Sequence, residues 1–560
     1  MNWRSPFRHL PSARQIAVVI LAGGAHAASI AWPLSGVLSP GQPVWWLNLI
    51  AFFALAWQLA GSRSAGQGAW MGWLFGTAMQ CATWWWLFIS LHVYGGLASP
   101  LAVIAIVGLA GFLALYHAVA GALFVWLAPV NRAGRAVLMA SLWLMAELAR
   151  VEFFTGFPWG EGGYAHLDGP FADLAKLAGV HGLTWGAMLA AAALAILCQP
   201  AGAAVRRPAR AGWFALAAGV LLAAGVSFGV KIHQDGASRF TADYPPSGAG
   251  TAALAPFTVS LLQGNIAQDE KFQGGSGIPD ALQWYGTQLR DARTSLVVAP
   301  ETAIPMLPSQ LPPDYLGGLL NRFHRQPAGT PQTAALVGIP LGDRQSGYAN
   351  AAIGLKPVAA GADAAAPAQV YRYDKHHLVP FGEFVHPLFK WFLAIVNIPL
   401  ADFNSGAVGQ PSFDWQGQRL APNICYEDLF GEELGARFRE PAAAPTIFVN
   451  ISNIAWFGNT IAIDQHLNIS RMRALEFERP MIRATNTGAT AIIDHRGVVA
   501  DMLPRHLRGT LVGEVQGRSG ITPYAWWVSR WGLWPFWVLG LIVVAAALGA
   551  RHRKPPAAPR

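Results

Sequence analysis

No aspartate or glutamate precedes Glu147 in this chain. Up to Lys231 there are only five acids, Glu147, Glu152, Glu161, Asp168 and Asp173, and all the rest of the 30 lie beyond. A soluble domain carries about 25% charged residues, so a stretch this long and this poor in acids excludes a soluble fold for the N-terminal part. Over all 560 residues, charged types make up 12% and hydrophobic types 53%. These values exclude a plain cytosolic enzyme, a disordered scaffold and a disulfide mini-protein. They indicate a polytopic membrane protein that also carries a water-soluble domain. The formal net charge of +9 is no argument for nucleic acid, because the basic residues sit between apolar segments rather than on one face.

A bilayer core requires about 20 apolar residues per helix. Seven such segments are predicted before the acid-rich region, at 15–35, 44–61, 69–93, 100–128, 135–150, 172–198 and 211–230. An eighth is predicted at about 531–550, containing LWPFWVLGLIVVAAALGA. Arg4, Arg8 and Arg14 precede the first, and Arg63, the pair Arg132 and Arg135, and the trio Arg206, Arg207 and Arg210 fall in every second loop. Arg551, Arg553 and Lys554 follow the eighth, while the intervening loops at 36–43 and 94–99 have no Lys or Arg. The excess of cytoplasmic Lys and Arg seen in membrane proteins then puts both termini in the cytoplasm and the region after the seventh segment on the outer side. Ala25, Ala27 and Ala28 form a small-residue patch of the signal-peptide kind, but the apolar run continues past it, so a retained anchor is expected. Of the 24 tryptophans, those at Trp45, Trp46, Trp84–Trp86, Trp526 and Trp527 fall near predicted helix ends, where interfacial anchoring accounts for them. The expected organisation is a membrane bundle over 1–231, an outer domain over 232–528, and a C-terminal helix with its tail over 529–560.

From about Phe257 the pattern changes to short β-rich runs between polar loops. Candidate strands are TVSLLQGN, TSLVVAPE, AALVGIP, NAAIGL, RLAPNICYE, PTIFVNIS and ATAIIDHRG. Helical stretches lie around ALQWYGTQLRDAR and from Ala462 to Glu478. Several strands are unbroken apolar runs, as in sheets buried on both faces. An α/β sandwich with helices covering its sheets is predicted, with Val358–Gln369 as an exposed low-complexity loop. Cys81 and Cys198 fall in membrane segments, so Cys425 is the outer domain's single thiol and no disulfide can form within it. Such a thiol is either a buried filler or a nucleophile.

Polar residues collect where the strands end. Glu301 follows LVVAP, Cys425 follows LAPNI, Asn450 follows TIFV, and Lys375 lies in YRYDKHHLVPFGEF. Convergence of strand ends on one rim is the usual site geometry of α/β folds. The set PET at 300–302, YDKHHLVPFGE at 373–383 and NICYED at 423–428 resembles the nitrilase superfamily, whose Glu–Lys–Cys triad runs in this chain order. With the predicted helices around the domain, and with TGFPWG at 155–160, NISNIAWFG at 450–458 and QHLNISRMRALEFERPMIRATNTG at 465–488, nearly the whole chain resembles the apolipoprotein N-acyltransferase family. Two positions depart from that family's pattern: Phe272 stands where Trp is common, and Ile454 where Asp is common.

The resemblance implies a four-layer αββα sandwich joined to a bundle of eight transmembrane helices, in a bacterial inner membrane with the catalytic domain in the periplasm. It implies a catalytic triad of Glu301, Lys375 and Cys425, with no cofactor and no metal. The acyl donor would be a phospholipid, the acceptor a diacylglyceryl apolipoprotein, and the surroundings membrane lipids. Cys425 would attack the ester, leaving a thioester that the acceptor's α-amino group then takes in a ping-pong sequence. A free thiol is mostly protonated at neutral pH, so it needs a base. Glu301 can serve if a dry pocket raises its pKa. Lys375 and the main-chain N–H beside Cys425 are candidate oxyanion donors. Glu383, Tyr426, Glu427 and Phe272 are expected to support or line the pocket. His376, His377 and His466 have no paired ligand spacing and are expected to be hydrogen-bonded structural residues. Arg471, Arg473 and Arg479 are read equally as a helix's solvated face or as attractors of a phosphate head group. The alternative is a membrane-tethered amidase or nitrilase with water as acceptor, for which one helix would suffice. A transporter is disfavoured, because the first four segments hold no acid or base in their apolar runs.

Overall fold

The computed structural model describes residues 10–129, 131–199, 253–327, 330–358, 370–384 and 403–552. The chain divides into two compact units. One is Met1–Phe88 with Ala98–Phe240 and Leu533–Arg560, and the other is Ile89–Leu97 with Thr241–Gly532.

The first unit is helical: α1 (Ala13–Ile30), α2 (Trp45–Ala60), α3 (Ala65–Trp84), α4 (Ser99–Leu127), α5 (Arg132–Glu152), α6 (Ala175–Cys198) and the C-terminal helix Trp534–His552. Polar caps start several of them. Ser12 and Gln15 form a reciprocal capping box on α1, and the side chains of Ser64 and Asn131 accept the N–H groups of Gln67 and Gly134 on α3 and α5, satisfying donors that a helix start leaves open. Helices α3 and α4 pack backbone to backbone. A Cβ added at Gly72 would lie 2.2 Å from the carbonyl oxygen of His117, so only glycine allows that approach. On α5, Glu147 and Arg150 are 1% and 0% exposed, 2.8 Å apart, with His117 at 3.1 Å from the same carboxylate.

Eight spans were expected, and four described helices are long and apolar enough to cross a membrane: Ala13–Ile30, Ser99–Leu127, Ala172–Cys198 and Trp534–His552. Trp45–Ala60 is apolar but only 16 residues long. The third expected span breaks after Trp84, and Ile89–Tyr94 forms a π-helical turn in the second unit, where Ser90 Oγ donates to the Trp456 carbonyl at 2.7 Å. The fifth carries the buried Glu147–Arg150 pair. The seventh, 211–230, lies outside the described residues, as does most of the expected loop Val358–Gln369.

The second unit holds two six-stranded sheets. The strands are β1 (Ala253–Gln263), β2 (Leu296–Ala299), β3 (Ala334–Asp343), β4 (Gly347–Leu355), β5 (Tyr371–Asp374), β6 (Phe413–Trp415), β7 (Gln418–Ile424), β8 (Ile447–Ser452), β9 (Met481–Thr485), β10 (Ala491–Ile493), β11 (Val499–Met502) and β12 (Gly509–Arg518). One sheet has the order β12-β1-β2-β3-β4-β5 and the other β11-β10-β9-β8-β7-β6. Their centres, β1-β2-β3 and β7-β8-β9, are parallel, and the flanking pairs are antiparallel. Among the described residues the longer helices of this unit are α7 (Gly277–Asp291), α8 (Tyr315–His324), α9 (Ala462–Phe477) and α10 (Pro523–Trp531).

Three apolar layers explain the unbroken apolar strands. Val259, Leu261, Leu296, Val298 and Leu336 meet Leu420, Ile424, Val449, Ile451 and Ile482 between the sheets. On the outer face of the first sheet, Leu282, Tyr285 and Leu289 of α7 and Phe323 of α8 cover Val297, Ala299 and Val337. On the outer face of the second, Phe477 of α9 and Tyr524 and Val528 of α10 cover Phe448, Met481 and Ile493. Both faces of β2 are covered, so all four of its residues are buried. At ~1.5–3 kcal/mol per buried large apolar side chain, this packing is the main favourable term in the sandwich.

Candidate active site

The site sits where strands of both sheets end. Strand β2 stops at Ala299, and the chain turns at Pro300 and Glu301, with Thr302 in the left-handed region at φ +46°. Gly338 on β3 makes the turn possible, since a Cβ there would stand 2.3 Å from the Pro300 carbonyl oxygen. Lys375 follows β5, its main-chain N–H bonded to the Asn350 carbonyl on β4 at 2.8 Å. Cys425 follows β7 and opens a 3-10 turn, Cys425–Leu429, with φ +54°. A non-glycine residue is held there at a cost, and such strain concentrates at functional sites.

The three residues share one electrostatic cluster. Lys375 Nζ lies 3.4 Å from Glu301 Oε1 and 2.9 Å from Glu383 Oε2, with its side chain 1% exposed. Asn350 bridges the carboxylates, its amide donating to Glu301 and to Glu383 at 2.7 Å each. The Asn453 main-chain N–H donates to Glu301 Oε2 at 2.8 Å, and that of Val379 to Glu383 Oε2 at 2.9 Å. Lys271, 2% exposed, donates from Nζ to the Glu301 carbonyl at 3.0 Å.

These contacts set the charges. Burial pushes the Glu301 carboxyl up, but Lys375, the Asn350 amide, Lys271 and the Asn453 N–H outweigh it and hold the group below its usual range. The expectation of a raised Glu301 is therefore corrected: the pocket is dry, yet it is also cationic. Burial pushes the Cys425 thiol up to about 12; the charge of Glu301 adds to this and that of Lys375 opposes it. Burial disfavours the Lys375 ammonium, but Glu383, Glu301 and Cys425 more than restore it, so its pKa lies above the usual value. Burial lowers Lys271 to about 8 against the pull of Glu301 and Cys425. The resting state is a carboxylate, an ammonium and a protonated thiol.

The supporting residues divide. Glu383 lies in the cluster. Glu427 staples the Lys375 loop to β7: its carboxylate accepts the Tyr373 hydroxyl at 2.8 Å, the His376 N–H at 2.6 Å and the Ile424 N–H at 2.5 Å. Tyr426 is 3% exposed and packs its ring against His377 and Phe430. Phe272 is 53% exposed; its neighbour Lys271 is the residue that reaches the cluster. Ile454 is buried, which suits an apolar side chain at that position.

Each of the three histidines has a hydrogen-bond partner: His376 the Gly406 carbonyl, His377 the Glu433 carboxyl, and His466 both Asp428 and the Cys425 carbonyl. Neither reading of the arginines holds for Arg473 and Arg479, which are 1% and 0% exposed. Arg473 pairs with Glu476, and Arg479 donates to the carbonyls of Pro445, Phe477, Glu478 and Gly520. The sequence reading assigned no role to Lys271, Asn350 or Asn453. Lys271 stands in the QGNIAQDEK loop and Asn453 inside NISNIAWFG, but Asn350 carried no signal beyond opening an apolar strand.

Residues 34–193 match the apolipoprotein N-acyltransferase N-terminal domain, and residues 258–524 match the carbon-nitrogen hydrolase family. The chain is 54% identical to an apolipoprotein N-acyltransferase of Verminephrobacter eiseniae, over 94% of this chain and 95% of that protein. It is 41% identical to one of Ralstonia nicotianae, over 91% and 90%. An amidase structure from Nesterenkonia sp. matches at 15% identity and a TM-score of 0.31, over 48% of this chain and 91% of that one. On the full-length likeness of its relatives, this chain belongs to the apolipoprotein N-acyltransferase family.

Proposed function

We propose that this protein moves a fatty-acyl chain from a phospholipid to the N-terminal amino group of a diacylglyceryl-cysteine lipoprotein, with Cys425 as nucleophile, Glu301 as base and Lys375 as oxyanion donor. The observation that carries the reading is the meeting of buried Glu301 and Lys375 with the partly exposed Cys425 in one cluster with complementary charge states.

The ionised Glu301 takes the thiol proton as Cys425 Sγ attacks the ester carbonyl. Lys375 Nζ and the Tyr426 main-chain N–H meet the oxyanion. Collapse breaks the carbon–oxygen ester bond, and Glu301 returns its proton to the departing lysophospholipid oxygen, leaving a thioester. The acceptor's amine attacks that thioester and loses a proton to Glu301, which passes it to the leaving sulfur. Glu383 holds Lys375 throughout.

Eight membrane spans, both termini cytoplasmic and the sandwich periplasmic, complete the proposal. Both substrates are lipids, so the nucleophile must serve a membrane surface. The alternation of Arg-bearing and Arg-free loops supports this topology.

Incubation of the full-length protein with phospholipid alone, followed by intact mass spectrometry, tests the chemistry. A thioester-linked acyl adduct on Cys425 is expected and should vanish in Cys425→Ala. Full activity in that variant, or an adduct on another residue, would overturn the mechanism. Release of free fatty acid with no transfer to a lipopeptide amine would favour the water-acceptor enzyme instead.

A further inference from the structure

The sandwich holds a second charged group that the chemistry above leaves unused. Asp428, His466, Ser470 and Arg483 are each at most 1% exposed. They come from the 3-10 turn after Cys425, from adjacent turns of α9, and from β9. The register aligns Asn423, Asn450 and Arg483 in one row across β7, β8 and β9. Their side chains therefore leave the second sheet on the same face, where His466 meets them.

Hydrogen bonding fixes the state of His466. Arg483 Nη2 lies 3.1 Å from His466 Nδ1. A guanidinium can only donate, so Nδ1 accepts and the ring proton is assigned to Nε2. From Nε2 that proton is shared between the Cys425 carbonyl at 3.1 Å and Asp428 Oδ1 at 3.0 Å. Asp428 Oδ2 accepts the Ser470 hydroxyl and Arg483 Nη1, the latter at 3.3 Å. Burial pushes the Asp428 carboxyl up, but His466, Arg483 and Ser470 outweigh it and keep it ionised. Asn450 Nδ2 is a second donor to the Cys425 carbonyl, at 3.3 Å.

Two side chains thus hold one carbonyl oxygen. The peptide that begins with that carbonyl ends with the Tyr426 N–H, and it is planar and trans. In such a unit the C=O and N–H point in opposite directions, so anchoring the oxygen decides where the N–H points. We propose that His466, oriented by Asp428 and Arg483 and assisted by Asn450, is a positioning residue that aims the Tyr426 N–H at the oxyanion of the reacting acyl group. The inference rests on the acyl-transfer reading and extends it. It also accounts for the left-handed Cys425: the anchored carbonyl holds in place a backbone conformation that an unsupported residue would leave.

Two reactions at the same sulfur separate this role from a merely structural one. Acylation by phospholipid develops an oxyanion, whereas alkylation by iodoacetamide displaces iodide at a saturated carbon and develops none. In full-length protein, His466→Ala should lose acylation by ~10²-fold, the scale of one oxyanion donor, and keep its alkylation rate within about threefold. His466→Gln, whose amide can still donate to the carbonyl, should recover about tenfold of that loss. Asn450→Leu removes the other donor and carries the same test if His466→Ala does not fold. Unchanged acylation in the variants, or equal losses in both reactions, overturns the inference while the acyl-transfer reading stands. Absence of a Cys425 adduct in the unaltered protein overturns both.

Discussion

Replacing Lys375 by methionine keeps most of the side-chain stem and removes the ammonium, and the structure predicts two separable losses. The first is an oxyanion donor, worth about 2.7–4 kcal/mol or ~10²–10³ in kcat. The second is indirect. Glu301 and Glu383 are bridged by one Asn350 amide, with the Lys375 ammonium 3.4 Å from one and 2.9 Å from the other. Without that cation, two buried carboxylates share a site in which both cannot stay ionised. Lys375 is the largest of the influences that oppose burial at Glu301, so its loss moves the Glu301 pKa up. Below the new value the base is protonated and the rate falls about tenfold per pH unit; above it, that part of the loss is recovered. Acyl-adduct formation on Cys425 in single-turnover mode, followed by mass spectrometry from about pH 6 to about pH 9, reads both effects. Lys375→Met should be ~10³–10⁴ slower than the unaltered protein near neutrality and only ~10²–10³ slower at the alkaline end. Breaking a buried ion pair also costs about 3–5 kcal/mol of stability, so melting is recorded alongside. A deficit constant across the pH range would refute the argument that Lys375 sets the charge of Glu301. A deficit below about tenfold would refute its oxyanion role.

Other perturbations give narrower outcomes. Glu383→Gln replaces the closest charged partner of Lys375, and a charge-assisted hydrogen bond worth about 1.5–3 kcal/mol should cost ~10- to 10²-fold in acylation with the phospholipid KM unchanged; a shift in KM alone would count against it. Glu427→Gln sets amide hydrogens against the Tyr373, His376 and Ile424 donors, so about 1–3 kcal/mol of stability should be lost, read as a lower melting temperature. Burial pushes the Glu433 carboxyl up to about 8, with His376 opposing and Glu427 adding. A folded pKa above the unfolded value of about 4.3 means stability that is full below that value and is lost as pH rises towards about 8. Glu433→Gln should therefore gain melting temperature relative to the unaltered chain from about pH 5 to about pH 8, and a gap that stays flat would contradict the shift.

The legible part of this protein was the part written in contiguous residues. PET, the lysine loop and NICYED each sit at a strand end, and the apolar runs that precede them announce sheets covered on both faces. What stayed illegible arises from pairing between distant segments. Asn350 matters because β4 lies beside β5 and sets its amide between Glu301 and Glu383, a fact that NAAIGL does not contain. Arg473 and Arg479 read equally as a solvated face or as attractors of a phosphate head group because sequence shows charge but not cover, and their partners, Glu476 and a set of main-chain carbonyls, become apparent only in the packed domain. The third expected span has other bounds for a related reason: apolar composition continues past Trp84, but the helix ends there and Ile89–Tyr94 belongs to the other unit. Glu301 is buried, yet the charge of Lys375, the Asn350 amide and the charge of Lys271 outweigh burial and hold its carboxyl low, and of these the sequence signalled only Lys375.

The protonated state of the resting thiol has a consequence for durability. Oxidation to sulfenic acid and beyond proceeds through the thiolate, and an unfolded cysteine with a pKa near 8.5 exposes a few per cent of it at neutrality. With the folded value pushed up to about 12, Cys425 carries far less thiolate between turnovers than the same residue would in an unfolded chain. The sulfur becomes nucleophilic only when Glu301 takes its proton in concert with attack on a substrate. In the oxidising compartment proposed for the sandwich, this single thiol has no second cysteine in its described unit to exchange with. Burial of the sulfur, with the charge of the carboxylate that drives the reaction adding to it, thus also keeps the thiol protonated and slow to oxidise while no acyl group is bound.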